Sequence, residues 1–294
     1  MQIESWHAES PNSCMGEGNH RRNSLEELRL SRLMDTEILY SFLHSNPNLE
    51  SLSLSDCFFK EILPLEKHTK IETLGVVPKL KSLKLINLRN LKDLGFEQDI
   101  ILKRVKLLLL KKCPSLKTVV SSSASLSNLV TLEVDSCDGL VKLMSPSTAE
   151  SLGQLNTMKV TKCSSLMEIV GKDAENADKV VFKQLKTLEL VSLKNLQSFC
   201  SSASCEFEFP SLEKLVVSAC YNMRKFSDKV TSRSTPILQN IYVVPEKEKK
   251  RYCWEGDLNA TIQKIFQDKV CVFMIFWTEF SFYTFLFLSF KIYF

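Results

Sequence analysis

Along most of the chain, apolar residues recur in one short pattern, which can be written LxxLxLxxC followed by xxLxx and a further apolar residue. The clearest copies are VKLLLLKKCPSLKTV from Val105, LVTLEVDSCDGLVKL from Leu129 and LNTMKVTKCSSLMEI from Leu155. Looser, partial or truncated copies start at Leu25, Leu49, Leu80, Leu185, Leu212 and Leu238. The nine starts lie 24 to 31 residues apart. A period of this length predicts a repeat architecture.

The LxL centre of each copy has a period of two residues, which is typical of a short β-strand with one buried face. In the copy from Leu129, Leu132 and Val134 point to one face, and Thr131, Glu133 and Asp135 point to the other. Because a single copy cannot bury its apolar face, we expect the copies to stack with their strands in parallel. The predicted fold is an α/β solenoid with a curved parallel sheet on its concave side and an irregular or helical convex side.

The convex segments are predicted from their polar composition. Residues 121–127 (SSSASLS) and 171–181 (GKDAENADKVV) vary in length and are polar, as surface loops usually are. We expect irregular loops there rather than regular helices.

The cysteine of the repeat is predicted to be buried. It falls at Cys57, Cys113, Cys137, Cys163 and Cys220, and leucine takes its place at Leu33, Leu88 and Leu193. Exchange between cysteine and leucine indicates an apolar environment, in which a thiol can still donate weakly to a neighbouring carbonyl. We therefore predict a structural role for these thiols, and neither a metal site nor a redox site.

Composition and charge exclude several classes of protein. The chain has 294 residues, of which 43 are leucine, and its net charge is only +4. It lacks the basic stripe that is typical of nucleic-acid-binding domains. Its ten cysteines include no CxxC pair, and its first twenty residues have no apolar signal-peptide core. These observations favour a reducing, intracellular compartment, and we predict a cytoplasmic protein.

No enzyme signature is present. The four histidines all lie in the first quarter of the chain, in no spacing that suggests a metal site or a catalytic pair. Glu26 and Glu27 are more simply explained as a solvated face than as a catalytic pair. Gly171-Lys172 is followed by Asp173 and does not form a phosphate-binding loop. We predict no catalytic residue, no cofactor and no metal.

Several strings are characteristic of one family. They are CPSLKTVV (113–120), VFKQLKTLELVSLKNLQSFCS (181–201), FEFPSLEKLVVSACYNMRKFS (207–227) and LQNIYV (238–243) followed by WEGDLNATIQKIF (254–266). The chain resembles the C-terminal leucine-rich repeat region of plant intracellular immune receptors of the nucleotide-binding, coiled-coil class, from about Leu25 to Val270. The resemblance implies a leucine-rich repeat solenoid. It also implies a detached recognition and autoinhibition region, since the nucleotide-binding module of such receptors has no counterpart here.

The chain divides by composition into four parts. We expect a polar N-terminal extension (1–24), the repeat domain (25–244), a charged linker with a short closing helix (245–269) and an aromatic-rich tail (270–294). We also expect no capping element over the edge of the first repeat strand. For the tail three interpretations stay open: sequence that is foreign to the folded protein, a membrane anchor, and a buried cap. Glu279 in its middle argues against the anchor.

A protein-binding surface is predicted on the polar face of the sheet. The repeat alignment places in one central column Arg29, Ser53, Lys84, Leu109, Glu133, Lys159, Glu189, Val216 and Tyr242. Glu133, Lys159 and Glu189 are expected to form ion pairs between strands. Leu107 and Leu109 occupy places that are polar in other copies, and Ile86 lies one strand away. We predict that a protein contacts Lys84, Ile86, Leu107, Leu109, Glu133, Asp135, Lys159, Glu189 and Tyr242.

The function that follows is non-catalytic. The resemblance implies a recognition domain in plant defence that binds a pathogen effector, a monitored host protein or its own nucleotide-binding module. The alternative is a leucine-rich repeat substrate adaptor for ubiquitin ligation, although the residues before Leu25 are too few for an F-box. We predict no nucleic-acid partner, and a membrane partner only if the tail from Val270 acts as an anchor.

Overall fold

The fold is built on one long sheet. The computed structural model describes residues 2–6, 25–62, 79–94, 102–119, 126–171, 179–202, 205–229, 235–238, 240–243, 250–253 and 255–267. The strands are β1 (Gln2–Trp6), β2 (Glu27–Ser31), β3 (Ser51–Ser55), β4 (Ser82–Ile86), β5 (Leu107–Lys111), β6 (Thr131–Asp135), β7 (Lys142–Met144), β8 (Thr157–Thr161), β9 (Glu168–Val170), β10 (Lys179–Val181), β11 (Thr187–Val191), β12 (Glu206–Glu208), β13 (Lys214–Ser218), β14 (Asn240–Val243) and β15 (Lys250–Cys253). Eleven of them form the main sheet, in the order β1-β2-β3-β4-β5-β6-β8-β11-β13-β14-β15.

The repeat strands pair in parallel and in register. From β2 to β14 each strand of the main sheet lies parallel to the next, so that equivalent positions of successive copies face one another. The two positions of each LxL centre point into the core. Leu83, Leu108 and Leu132, for example, are fully buried. The predicted parallel repeat solenoid is confirmed.

Both ends of the main sheet carry an antiparallel strand. β1 pairs with β2, so the expectation that nothing covers the edge of the first repeat strand is wrong. β15 pairs with β14, and residues 250–253 therefore form a strand within the segment that was predicted as a charged linker.

The convex side contains more regular structure than expected. Helix α1 (Thr36–Ser45) begins with its N-cap Asp35, whose carboxylate accepts from the Glu37 N–H, and a short helix α2 spans Pro146–Ser151. Two small parallel sheets, β7–β9 and β10–β12, join neighbouring repeats. The segment 171–181, predicted as an irregular loop, thus ends in strand β10. The tail 270–294 and most of 121–127 lie outside the described residues.

A left-handed residue follows each repeat strand from β2 to β13. Their φ values lie between 51° and 57°, and none of them is glycine: Arg32, Asp56, Asn87, Lys112, Ser136, Lys162, Ser192 and Ala219. Such a conformation costs about 1–2 kcal/mol for a residue with a Cβ. The turn aims the backbone N–H at the next repeat, as where Ser136 N donates to Thr161 O at 3.0 Å.

Five phenylalanines fill the core of the later repeats: Phe182, Phe199, Phe207, Phe209 and Phe226, all fully buried. Phe199 lies at their centre. It stacks on Phe226, with ring centroids 4.8 Å apart, and meets the other three rings edge-on at 5.4–6.1 Å. Such aromatic pairs contribute about 0.5–1.5 kcal/mol each beyond their buried area.

A closing helix, α3, spans residues 258–267 and packs on the last repeats. Asp257 lies at its start, where the carboxylate accepts from Ala260 N at 2.8 Å. Asn259 accepts from Phe226 N at 2.7 Å and Ser227 N at 3.1 Å, and it donates to Ser227 O at 2.7 Å. The amide thereby satisfies backbone groups that the next repeat would otherwise have paired.

Candidate functional site

The open face of the sheet, defined here as the face that points away from the core, carries the candidate site. Its central row follows the strand register from Arg29 on β2 to Tyr242 on β14. Lys84 lies directly opposite Leu109, and Leu109 lies opposite Glu133. Neighbouring strands lie about 4.8 Å apart, so these side chains are lateral neighbours.

Ion pairs fix part of this row. Lys159 Nζ lies 3.4 Å from Glu133 Oε1, as the sequence predicted. Glu189, however, pairs with Lys214 at 2.6 Å, on the far side from Lys159. The predicted ion pair between Lys159 and Glu189 is therefore wrong. Lys214, the first residue of β13, reaches the central row on the neighbouring strand β11 and takes that carboxylate. Half-exposed pairs of this kind contribute about 0.2–1 kcal/mol each.

Asp135, at the end of β6, is held by its own neighbours. Thr161 Oγ1 donates to Asp135 Oδ1 at 2.8 Å, and Lys111 Nζ lies 3.8 Å from Asp135 Oδ2. Its carboxylate is thus already hydrogen-bonded along the row that joins β5, β6 and β8.

Leu107 and Leu109 lie half-buried on the open face, whereas Leu108 and Leu110 are fully buried. The four consecutive leucines of β5 therefore divide by the ordinary alternation of a strand. Lys84 and Ile86 on β4 are also half-buried. The structure thus brings Lys84, Ile86, Leu107 and Leu109 together on two adjacent strands.

Towards β14 the residues of the open face become more deeply buried. Val216, expected to be exposed in the central row, is only 6% exposed, and Ser218 on the same strand is 2% exposed. Val216 is therefore not part of the accessible surface. Tyr242 remains half-buried beside it. Most of the predicted contact residues lie on β4, β5, β6 and β8, which are neighbouring strands of the main sheet, and all of these residues are half-buried.

Lysines around the leucine pair were not among the predicted site residues. Lys106 immediately precedes Leu107, and Lys112 follows the strand; both are exposed. In the part of the chain that the structure describes, neither has an ion pair, and the same is true of Lys84. The sequence KLLLLKK contained this information, because its first and last lysines lie at the two ends of the strand.

The repeat cysteines are buried, free thiols behind this face. Cys163 Sγ donates to Thr161 O at 3.4 Å, and Cys220 Sγ donates to Leu190 O at the same distance, as expected for a structural position. Burial raises the pKa of Cys163 to about 11. The hydrogen bond shared with Cys113 raises the pKa of Cys137, and burial adds to the rise. Among the described residues no cluster of His, Cys, Asp and Glu could hold a metal ion.

Comparison with known proteins supports the same class of protein. A solenoid of parallel LxL strands with buried cysteines is a leucine-rich repeat fold, which typically mediates protein–protein contacts. Residues 121–243 match the family model for plant disease resistance protein RPS2-like leucine-rich repeats. The match supports the identification of the chain as a leucine-rich repeat region of a plant disease resistance protein. No curated protein matches the chain, and no solved structure matches it.

The helices give no sign of a membrane span. Over the ranges given above, none is long and apolar enough to cross a bilayer. The tail from Val270, which the sequence left open as an anchor, falls outside those ranges.

Proposed function

We propose that the chain is a non-catalytic recognition domain of a cytoplasmic plant disease resistance protein, and that it binds another protein through the open face. The proposed recognition unit is the repeat domain, residues 25–244. Its partner is a pathogen effector, a monitored host protein, or the nucleotide-binding module of a receptor of the coiled-coil class. The match of residues 121–243 to resistance-protein repeats supports this role.

The observation that carries the proposal is the half-buried leucine pair on β5, Leu107 and Leu109, which remains partly accessible on the open face. In the same two places of β3 and β6 the chain has Ser51 with Ser53, and Thr131 with Glu133. Leaving leucines partly in water forgoes about 25 cal/mol for each Å² of apolar surface. Neither leucine is needed to fill the core, because Leu108 and Leu110 do so. Exposed apolar residues within a polar face are typical of a contact site for another protein.

The experiment compares capture of leaf proteins by the purified chain and by three variants. Leu109→Glu places a carboxylate on the open face and should remove the specific partner while leaving the melting temperature nearly unchanged. Val141→Glu is the matched control, because Val141 is 52% exposed and lies outside the main sheet. It should keep the partner.

Leu108→Glu tests the strand register. It buries a carboxylate beside the core and should unfold its repeat. Proteins captured by the wild type and lost only with Leu109→Glu would be purified and titrated against the chain by calorimetry. If Leu109→Glu captures and binds the same proteins as the wild type, the open face is not the recognition surface.

A further inference from the structure

The charged residues around the leucine pair are paired on one side of it and unpaired on the other. On the β4–β5 side of the pair, Lys84, Lys106 and Lys112 have no ion pair in the described part of the chain. On the β6 side, Glu133 and Asp135 are already engaged by Lys159, Lys111 and Thr161. Lys84, Lys106 and Lys112 therefore leave positive charge without a partner on β4 and at both ends of β5, next to the partly exposed leucines.

We propose that this lysine–leucine patch, formed by Lys84, Lys106, Leu107, Leu109 and Lys112, binds an acidic segment of another protein. In this segment carboxylates flank one or two leucine-type side chains. The inference rests on the proposed function and names the chemical class of its partner. Unpaired cations beside apolar side chains favour a ligand that supplies both carboxylates and apolar contacts.

The dimensions of the patch set the length of the segment. Lys106 and Lys112 bracket β5, six residues apart, which corresponds to about 20 Å of extended chain. Lys84 lies beside Leu109 on the neighbouring strand. An acidic stretch of about ten residues can place one apolar side chain on the leucines and carboxylates at all three lysines.

A protein segment fits this patch better than a nucleic acid does. Nucleic-acid surfaces pair lysines and arginines with polar or aromatic side chains that contact phosphates and bases. Here the centre of the patch is aliphatic, and the described residues around it include no aromatic side chain on β4, β5 or β6.

The test measures binding of fluorescein-labelled peptides to the full chain by fluorescence anisotropy. The probe is a peptide of about ten residues in which Glu residues flank a central pair of Leu, and two control peptides replace either every Leu by Ser or every Glu by Gln. We expect the Glu–Leu peptide to bind at least about tenfold more tightly than either control, and to weaken as salt is raised.

Charge-reversal variants locate the binding. The triple variant Lys84→Glu, Lys106→Glu, Lys112→Glu should bind the Glu–Leu peptide about ten- to a hundredfold more weakly. The matched control reverses Lys162, Lys183 and Lys194, which are exposed and without an ion pair among the described residues, and Lys162 occupies the same left-handed position as Lys112. It should bind within about twofold of the wild type. Circular dichroism melting checks that both variants fold.

Each other outcome overturns the inference. Equal weakening by the two triple variants would show attraction to net charge alone. Equal binding of the Glu–Leu and Glu–Ser peptides would show that the leucines take no part. Tighter binding of a labelled single-stranded oligonucleotide, lost with the patch lysines, would assign the patch to nucleic acid. If the patch variant still binds every partner that Leu109→Glu loses, the acidic class is wrong while the proposed recognition function stands.

Discussion

Replacing Phe199 by alanine should destabilise the later repeats by about 3–5 kcal/mol, the range found for deletion of a fully buried phenylalanine. The ring has no exposed surface and contacts four other rings. Burial of about 150 Å² at 25 cal/mol per Å² gives nearly 4 kcal/mol for the transfer alone. Because repeats are stabilised mainly by their neighbours, the loss should concentrate near Phe182 to Phe226 and separate the melting of this region from that of the earlier repeats.

Urea denaturation followed by circular dichroism measures the change, and two variants control it. Phe199→Leu keeps most of the apolar volume and loses only the four aromatic contacts, so it should cost less than Phe199→Ala. Phe58→Ala, at a ring that is 51% exposed, should cost far less than Phe199→Ala. A loss below about 1 kcal/mol for Phe199→Ala would refute the reasoning, because it would mean that the ring cluster adds little to the stacking of repeats.

Three further predictions concern the closing helix and the thiols. Asn259→Ala should destabilise the last repeat by about 1–3 kcal/mol, because it leaves three backbone groups unpaired. The control Asn222→Ala loses a single exposed hydrogen bond to Lys194 O and should cost less, and equal losses of unfolding free energy in urea titration would contradict the capping role. Native thiol labelling should be slow at Cys113, Cys137 and Cys163 until denaturant is added, and rapid labelling or disulfides among them would show that they are not buried thiols. For Cys163, the folded pKa of about 11 exceeds the ordinary 9.0, so the free energy of unfolding should be undiminished below pH 9 and fall by up to about 3 kcal/mol as pH rises towards 11. Cys163→Ala should lack this part of the fall, and identical pH profiles of the two proteins would show that the thiol does not titrate as described.

The sheet was predictable because its signal is local and repeated. Alternation within LxL decides which side chains are buried, and equal spacing of the copies aligns Lys84, Leu109, Glu133 and Lys159 in one row. The exchange of cysteine and leucine likewise indicated a buried position. The division of the four leucines of β5 follows from the same alternation.

The features that the sequence did not reveal depend on contacts outside the repeat pattern. The pairing of β1 and β15 with the ends of the sheet involves segments that lack the motif. The short strands β7, β9, β10 and β12 form only beside their neighbours, and their three residues are too few to show a period. The alternation within β13 places Val216 on the open face, where the equivalent residues of other strands are accessible. Its burial therefore could not be predicted from the strand pattern. The ion pair between Glu189 and Lys214 depends on how far the lysine side chain extends along the sheet, which the repeat alignment does not show.

The row of left-handed residues has a consequence for how related chains can diverge. At the seven turns from Arg32 to Ser192 the backbone N–H donates to the next repeat, and at Asp56 and Asn87 the two side chains are hydrogen-bonded to each other as well. None of the eight side chains is buried, and the set already includes basic, acidic, amide, hydroxyl and methyl groups. One border of the open face can therefore change its charge residue by residue while the core stays the same. A repeat protein with such a border can acquire a new binding specificity through single substitutions that leave the backbone hydrogen bonds between repeats in place.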